Sequence, residues 1–310
     1  MRRFLLHALL FGTLALLGIG AYVWSYRHFL PAPRISPNGA LNLKLSDLRH
    51  RGAHPCNVLA LGSSMTLNNL SSPDVVAHFQ DTSYVNMGAW GLDIKQCNSM
   101  AHVLVPLMKP RTVIVMGNLS DAVPDVHRHA LDTARVTGYL LRWSTPEAYL
   151  RSLRPAYYLR EMERNRIRML DRSNYEFMNV DEHGWAPLVI PPDRIDRGRW
   201  ERTPPKARWL SSGAYDQLAD LGRYLREQGV RLVYIQSPYR AGVRTADVDT
   251  VVQGHVRHVR NLLEPLGHAV LDATDRRWED SLFVDYSHLN EEGARLVTAH
   301  ALAQLNALRP

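Results

Sequence analysis

Residues 58–69 read VLALGSSMTLNN. Val58, Leu59, Ala60 and Leu61 form a short unbroken apolar run, which gives way to Gly62-Ser63-Ser64 and closes on Asn68 and Asn69. An apolar run of strand length without alternation marks a strand covered on both faces, as in a parallel sheet flanked by helices. In open parallel sheets, ligands meet the protein beyond the carboxyl ends of the strands. The Gly-Ser-Ser tip falls where such a sheet places its chemistry, although by itself the tripeptide is an ordinary turn.

Working outward, the same alternation recurs. Asn57–Leu61 is the first expected strand, Tyr84–Asn86 the second, Thr112–Met116 (TVIVM) the third, Arg231–Ile235 (RLVYI) the fourth and Ala269–Leu271 the fifth. Ser72-Pro73 opens a short helix toward Phe79, and a longer one runs from Leu92 to Met108 ahead of Pro110. Further helices are expected over Ser211–Gln228, stopped by Gly229, over Asp247–Leu266 and over Glu291–Leu308. Short apolar strands alternating with helices predict the α/β class, a doubly wound parallel sheet covered on both faces.

Residues 122–210 break this rhythm. They hold Trp143, Trp185, Trp200 and Trp209 and the pairs Pro191-Pro192 and Pro204-Pro205, and NVDEHGW (179–185) reads as a hairpin turn. An insertion of this length in a compact domain is expected to be a lid or binding loop. Its tryptophans suit either a small core of its own or stacking on sugar rings.

The amino-terminal end has a separate character. After Met1-Arg2-Arg3, residues Phe4 to Tyr26 are apolar apart from His7, Thr13 and Ser25, close to the roughly 20 residues a spanning helix needs. Trp24 and Tyr26 stand where an interfacial aromatic belt would lie. The run exceeds the h-region of a signal peptide, which favours an uncleaved anchor over a cleaved leader ending near Gly18–Ala21. The expected organisation is an anchor over 1–26, a juxtamembrane linker over 27–53 marked by Pro31, Pro33, Pro37 and Gly39, and a single domain over 54–310 carrying the insertion. A short basic lead before the span places that domain on the outer, periplasmic side of the cytoplasmic membrane.

The formal charge is +7, carried by 33 arginines and four lysines. The arginines are dispersed and accompany no nucleic-acid motif, so nucleic acid is discounted as a partner, while the surplus suits a position near anionic head groups or acidic polymers. Cys56 and Cys97 are the only cysteines and match no metal spacing; they admit one disulfide outside the cytoplasm or two buried thiols. His127 and His129, two apart with Asp125 nearby, would point away from each other on a helix and lack a third ligand. No metal and no organic cofactor is expected.

The strand ends carry a consistent chemistry. Gly62, Ser63 and Ser64 follow the first; NMGAWG, with Asn86, Gly88 and Gly91, follows the second; GNLSD, with Gly117, Asn118, Ser120 and Asp121, follows the third. FVDYSHLNEEG (283–293) follows the last. A serine hydroxyl becomes a nucleophile when a histidine can take its proton, and the histidine needs a carboxylate to fix its tautomer. Asp285-x-x-His288 offers both from one tight loop. Backbone N–H groups at Ser64 and Gly88, with an asparagine amide, are suitable donors to a tetrahedral oxyanion. Each feature alone is commonplace; their joint order after successive strands points to acyl transfer.

GSSMTLNN, VNMGAWG, VIVMGNLSD and DYSHLNEEG occur in the order and spacing of the blocks of the SGNH/GDSL hydrolase superfamily, which residues 55–308 resemble outside the insertion. The resemblance implies a flavodoxin-like three-layer αβα sandwich with Ser64 as nucleophile, His288 as base, Asp285 as its orienting carboxylate, and Ser64, Gly88 and Asn118 as oxyanion donors. The aspartate of the first block is replaced by Ser63, as in membrane-associated members that acylate envelope polymers such as teichoic acids and alginate-type polysaccharides. Asn118 stands one place early in the third block, which leaves Ser120 as an alternative donor. The implied function is a membrane-anchored serine ester hydrolase or O-acyltransferase acting on acyl, chiefly acetyl, esters of envelope carbohydrate, with envelope-biosynthesis membrane proteins as candidate partners. A lipid esterase or lysophospholipase, and a non-catalytic polysaccharide-binding protein on the same fold, are the alternative readings.

Overall fold

The structure is a computed structural model in which residues 1–123 and 131–307 are described; Asp125, His127 and His129 lie outside the described residues. Five strands form one sheet: β1 (Val58–Ala60), β2 (Tyr84–Asn86), β3 (Thr112–Gly117), β4 (Arg231–Gln236) and β5 (Ala269–Asp272). Their order is β2-β1-β3-β4-β5 and every pairing is parallel. This is the flavodoxin-like order, in which the chain changes direction of winding between β1 and β3 and opens a crevice at their carboxyl ends.

Side-chain alternation sorts the sheet into two packed faces. Leu59, Val113, Val115, Leu232, Tyr234 and Val270 face one core, against α2 (Gly39–Arg51), α4 (Ile94–Met108), α9 (Ser212–Glu227) and α10 (Ala246–Leu263). Val58, Ala60, Ile114, Met116, Val233, Ile235 and Leu271 face the other, against α3 (Ser72–Phe79) and α11 (Glu291–Ala307). The three-layer αβα sandwich expected from the sequence is the observed architecture.

Local chemistry sets the element ends. The helix expected from Leu92 begins at Ile94, because the Asp93 side chain accepts the Gln96 N–H at 2.7 Å and Gln96 reaches back to the Asp93 N–H at 3.3 Å, a reciprocal cap. The helix expected to reach Leu266 stops at Leu263 and tightens into a 3-10 turn over Glu264–Leu266, where Pro265 has no N–H to continue the ladder. Residues 27–53, expected as a linker, contain α2, whose Leu41, Leu45 and Leu48 are buried in the main core and whose start is capped by Asn38 at 3.0 Å from the Leu41 N–H. The proline-marked stretch is a short lead into a helix of the domain.

At the amino terminus, α1 (Arg2–Ser25) has no buried residue and is long and apolar enough to cross a bilayer, a property shared by single-pass spans and signal sequences. The insertion leaves and rejoins the domain at one point, where the Ser211 N–H meets the Ala122 carbonyl at 2.9 Å. Its first half is helical, with α5 (Thr133–Leu141), α6 (Thr145–Arg151) and α7 (Pro155–Leu170); Val136, Tyr139 and Ala148 join the core beside α2 and α4. Its second half is largely irregular, carries the single turn α8 (Arg197–Trp200), and packs Leu188 and Ile190 against Val284 in a small separate cluster. The stretch at 179–185 makes a turn, with Asp181 and Trp185 paired at 2.9 Å, but no flanking strands; it lies along β2, where the His183 carbonyl accepts the Asn86 N–H at 2.7 Å.

Candidate active site

Beyond β1 the chain turns at Gly62 into a single π-helical turn, Met65–Asn69, with Ser64 at its head. Thr66 anchors this turn to two strands: its Oγ1 lies 3.1 Å from the Leu61 carbonyl and 2.8 Å from that of Met116, and accepts the Met116 N–H at 3.0 Å. A Cβ at residue 62 would overlap the Thr66 hydroxyl, which explains the glycine there. The two adjacent serines have different tasks. Ser63 is buried and its Oγ accepts the Met65 N–H at 3.2 Å, whereas Ser64 is half-buried and opens to a cleft.

Ser64 Oγ lies 2.9 Å from His288 Nε2, and His288 Nδ1 lies 2.8 Å from Asp285 Oδ2. The other Asp285 oxygen accepts the N–H groups of Ser287 at 2.9 Å and His288 at 2.7 Å, so the carboxylate holds the loop and the ring together. Burial raises the acidity constant of Asp285, but the His288 charge and hydrogen bond and the two backbone N–H groups outweigh it and bring the pKa down to about 2. The group is an anion throughout the neutral range. It also has a cation beside it, with Arg199 Nε at 3.5 Å from Oδ2.

Asn69 ties the two halves of this arrangement together. Its amide nitrogen donates to the Ser287 carbonyl at 2.9 Å and to Ser237 Oγ at 3.0 Å, and its oxygen accepts the Leu289 N–H at 3.0 Å. Thr298 on α11 adds a further tie, lying 3.2 Å from the Asn69 carbonyl and accepting the Ser71 N–H at 2.9 Å. The backbone on either side of His288 is thus clamped to the turn that starts with Ser64.

The expected oxyanion donors other than Ser64 stand differently. The Gly88 N–H is committed to Asn86 Oδ1 at 2.8 Å, and Gly88 is packed so closely under the turn that a Cβ would meet the Leu67 nitrogen at 2.7 Å. Asn118 is buried, with its amide on Met65 Sδ at 3.1 Å and its oxygen on the Ser120 N–H at 2.8 Å. Ser120, the alternative, faces the Tyr286 hydroxyl at 3.2 Å. Neither Gly88 nor Asn118 lines the cleft; Asn68 does. Asn68 Nδ2 donates to the Ala186 carbonyl at 2.7 Å and carries a second hydrogen.

The cleft encloses about 230 Å³ and is lined by Ser64, Asn68, Trp90, His288 and, from the insertion, Tyr175, Glu176, Leu188 and Arg199. The insertion is therefore the roof of the site. Tyr175 is fixed by its hydroxyl on the Val284 carbonyl at 2.6 Å, and the Arg199 guanidinium stacks 4.0 Å over its ring. The Arg199 carbonyl accepts the Tyr286 N–H at 3.3 Å, and Arg240 lies 4.2 Å over the Trp200 ring while pairing with Asp280. These ties pin α8 to the loop that carries Asp285. The insertion's tryptophans serve packing: Trp185 is buried, with its indole N–H on the Asn68 carbonyl at 2.8 Å, and the aromatic rings at the cleft are Trp90 and Tyr175. The fixed spacing of Ser64 and Asp285-x-x-His288 made the centre readable, whereas Tyr175 and Arg199 belong to no motif.

Among the described residues no cluster of metal-ligating side chains occurs. Cys56 and Cys97 are separate buried thiols, and burial pushes Cys56 up to about 12. No protein-family model and no curated protein matches this chain. Solved structures to which it is similar include an acetylxylan esterase from Geobacillus stearothermophilus (13% identity, 80% of this chain and 92% of that one, TM-score 0.43). A carbohydrate acetylesterase from Sinorhizobium meliloti follows at 11% identity, 82% and 100% coverage and a TM-score of 0.38. A protein of the G-D-S-L lipolytic family from Desulfitobacterium hafniense has 12% identity, 79% and 97% coverage and a TM-score of 0.39.

Proposed function

We propose that this chain is a membrane-anchored, extracytoplasmic serine ester hydrolase or O-acyltransferase, of the type the SGNH/GDSL resemblance implies, acting on short acyl esters of envelope carbohydrate. The observation that carries the reading is the continuous line of hydrogen bonds from Ser64 Oγ through His288 to Asp285, at 2.9 and 2.8 Å. In this reading His288 Nε2 takes the hydroxyl proton as Ser64 Oγ attacks the ester carbonyl. Asp285 keeps the Nδ1 tautomer in place and stabilises the imidazolium. The tetrahedral intermediate collapses as His288 returns the proton to the leaving alcohol, which leaves an acyl group on Ser64. Water or a sugar hydroxyl, deprotonated by the same imidazole, then releases it. The Ser64 N–H and the second hydrogen of the Asn68 amide are the donors on the cleft side for the oxyanion.

The cleft supports a small, polar substrate. At about 230 Å³ it lies below the usual range of small-molecule sites, and Asn68, Glu176, Arg199, Ser64 and His288 make most of its wall polar. An acetyl group fits such a space better than a long acyl chain, which weighs against a lipid esterase. The α1 helix supports the anchor, with Arg2 and Arg3 ahead of it on the cytoplasmic side.

The test is p-nitrophenyl acetate hydrolysis by the full chain in detergent, wild type against Ser64→Ala. A fall of at least about a thousandfold is expected; equal rates would remove the enzyme reading. Product masses with and without an oligosaccharide acceptor then separate transfer from hydrolysis.

A further inference from the structure

The amino-terminal helix and the insertion run side by side in register. The Tyr22 hydroxyl donates to the Leu159 carbonyl at 3.2 Å, the Tyr26 phenol hydrogen-bonds the Glu163 carboxylate, and Asn165 Nδ2 donates to the Phe29 carbonyl at 2.9 Å. Residue numbers rise together on both partners, so α7 runs parallel to the exit of α1 and its amino-terminal end points back toward the side from which α1 comes. Pro155 lies four residues before Leu159, about 6 Å further in that direction at the rise of an α-helix. At that end sits the junction of α6 and α7, where Leu150 and Leu153 are 71% and 59% exposed. From Ala148 to Arg160 the chain carries Arg151, Arg154 and Arg160 and no acidic residue. Arg154 and Arg160 are exposed, and Arg151 pairs with Glu147 at 2.8 Å.

Resting on the reading of α1 as a membrane span, we propose that the α6–α7 junction is a second membrane contact. Leu150 and Leu153 enter the upper acyl region of the bilayer that α1 crosses, while Arg154 and Arg160 meet the phosphates of anionic lipids. The level is set by the register: Tyr22 and Trp24 mark the interfacial belt of the span, and the junction lies at or below Tyr22. Two exposed leucines flanked by arginines are the composition that holds an interfacial segment, apolar burial adding to charge attraction. The opposite direction offers no such combination, since beyond Asn165 the helix moves away from the span. The domain is therefore seated on the bilayer through two points rather than swinging from one tether. Because the same insertion roofs the cleft, the seat also fixes the direction in which the cleft opens relative to the surface.

The test uses the full chain bearing an environment-sensitive fluorophore at one introduced cysteine, reconstituted in phosphatidylcholine–phosphatidylglycerol vesicles with brominated lipids as quenchers. Cys56 and Cys97 are buried. Three positions are compared: Leu153→Cys at the junction, Leu10→Cys in the span, and Arg257→Cys on α10. The expected result is that the probes at 153 and 10 lose most of their emission to the lipid quencher and the probe at 257 keeps its own. Quenching at 10 without quenching at 153 overturns the seat and leaves the anchor standing. Quenching at 153 without quenching at 10 supports the seat and overturns the anchor. Loss of neither signal overturns both. A probe at 153 shielded from aqueous iodide yet untouched by brominated lipid shows a protein covering the junction, a second copy included, and overturns the lipid assignment.

Discussion

The Asn69 side chain donates to the Ser287 carbonyl at 2.9 Å while accepting the Leu289 N–H at 3.0 Å, so one residue holds both backbone neighbours of His288. Asn69 touches no cleft atom, and its effect on the reaction passes through the position of the imidazole. Asn69→Ala is expected to cost about 1–3 kcal/mol of stability, the range for stranding buried hydrogen-bonding partners. Its kcat for p-nitrophenyl acetate should fall at least about tenfold with KM little changed, because only the alignment of Ser64 with His288 is lost. A purely structural role would lower the melting temperature and leave kcat per folded molecule intact.

Asp285→Asn separates charge from shape. The amide keeps the size of the carboxylate but favours the wrong imidazole tautomer, and a loss of about ten-thousandfold in kcat is expected. The native carboxyl, held at about 2, lies below its unfolded value near 3.8. Its contribution is therefore fully present above pH 4 and is lost as pH falls from 4 to 2, about 2 kcal/mol in all. Urea unfolding across that interval should show a shallower acid loss in Asp285→Asn than in wild type.

Lys44 gives an opposite pH signature. It is buried on α2, donates to the Asn86 carbonyl at 2.9 Å and to the Gly184 carbonyl, and burial lowers it to about 7 against the pull of Asp181 and Asp47. Between pH 7 and 9 the unfolded chain binds a proton here that the folded chain has shed, so stability should rise with pH by up to about 1.4 kcal/mol per unit. Above pH 9 the raised Cys56 thiol works in the reverse sense, because the folded chain then keeps a proton that the unfolded one loses. Lys44→Met should flatten the rise between 7 and 9 in urea titrations; an unchanged slope would assign it to other groups.

Arg199 adds charge recognition to the cleft. It is 40% exposed, stacked on Tyr175 and 3.5 Å from Asp285, which leaves its outer face toward the substrate space. Arg199→Ala is expected to keep neutral p-nitrophenyl acetate turnover within about tenfold of wild type. The kcat/KM for an acetylated, carboxylate-bearing oligosaccharide should drop by a further factor corresponding to about 1.5–3 kcal/mol, the worth of a charged hydrogen bond. Equal losses on both substrates would place its role in supporting Asp285 alone.

The sheet and the centre were legible because their signals are local. TVIVM and RLVYI can hardly be anything but buried strands, and Asp285-x-x-His288 brings its two groups together within one turn. What escaped was fixed by distant contacts. Leu41, Leu45 and Leu48 carry the helical spacing of α2, but the prolines before them suggested a linker, and only the neighbouring core shows that the face is covered. Gly88 reads as an oxyanion donor until Asn86 is seen to occupy its N–H. Arg199 and Tyr175 acquire their positions from Tyr286 and Val284, more than eighty residues away, and nothing in the local sequence announces those partners.

The serine and the histidine that meet at 2.9 Å are separated by 224 positions, and α11 packs onto the turn between them only after the end of the chain is made. A polypeptide still emerging from the ribosome, or still crossing the membrane, has its hydroxyl but no partner to activate it. Premature attack on cytoplasmic esters is thereby ruled out by chain order alone, without a pro-segment or an inhibitor.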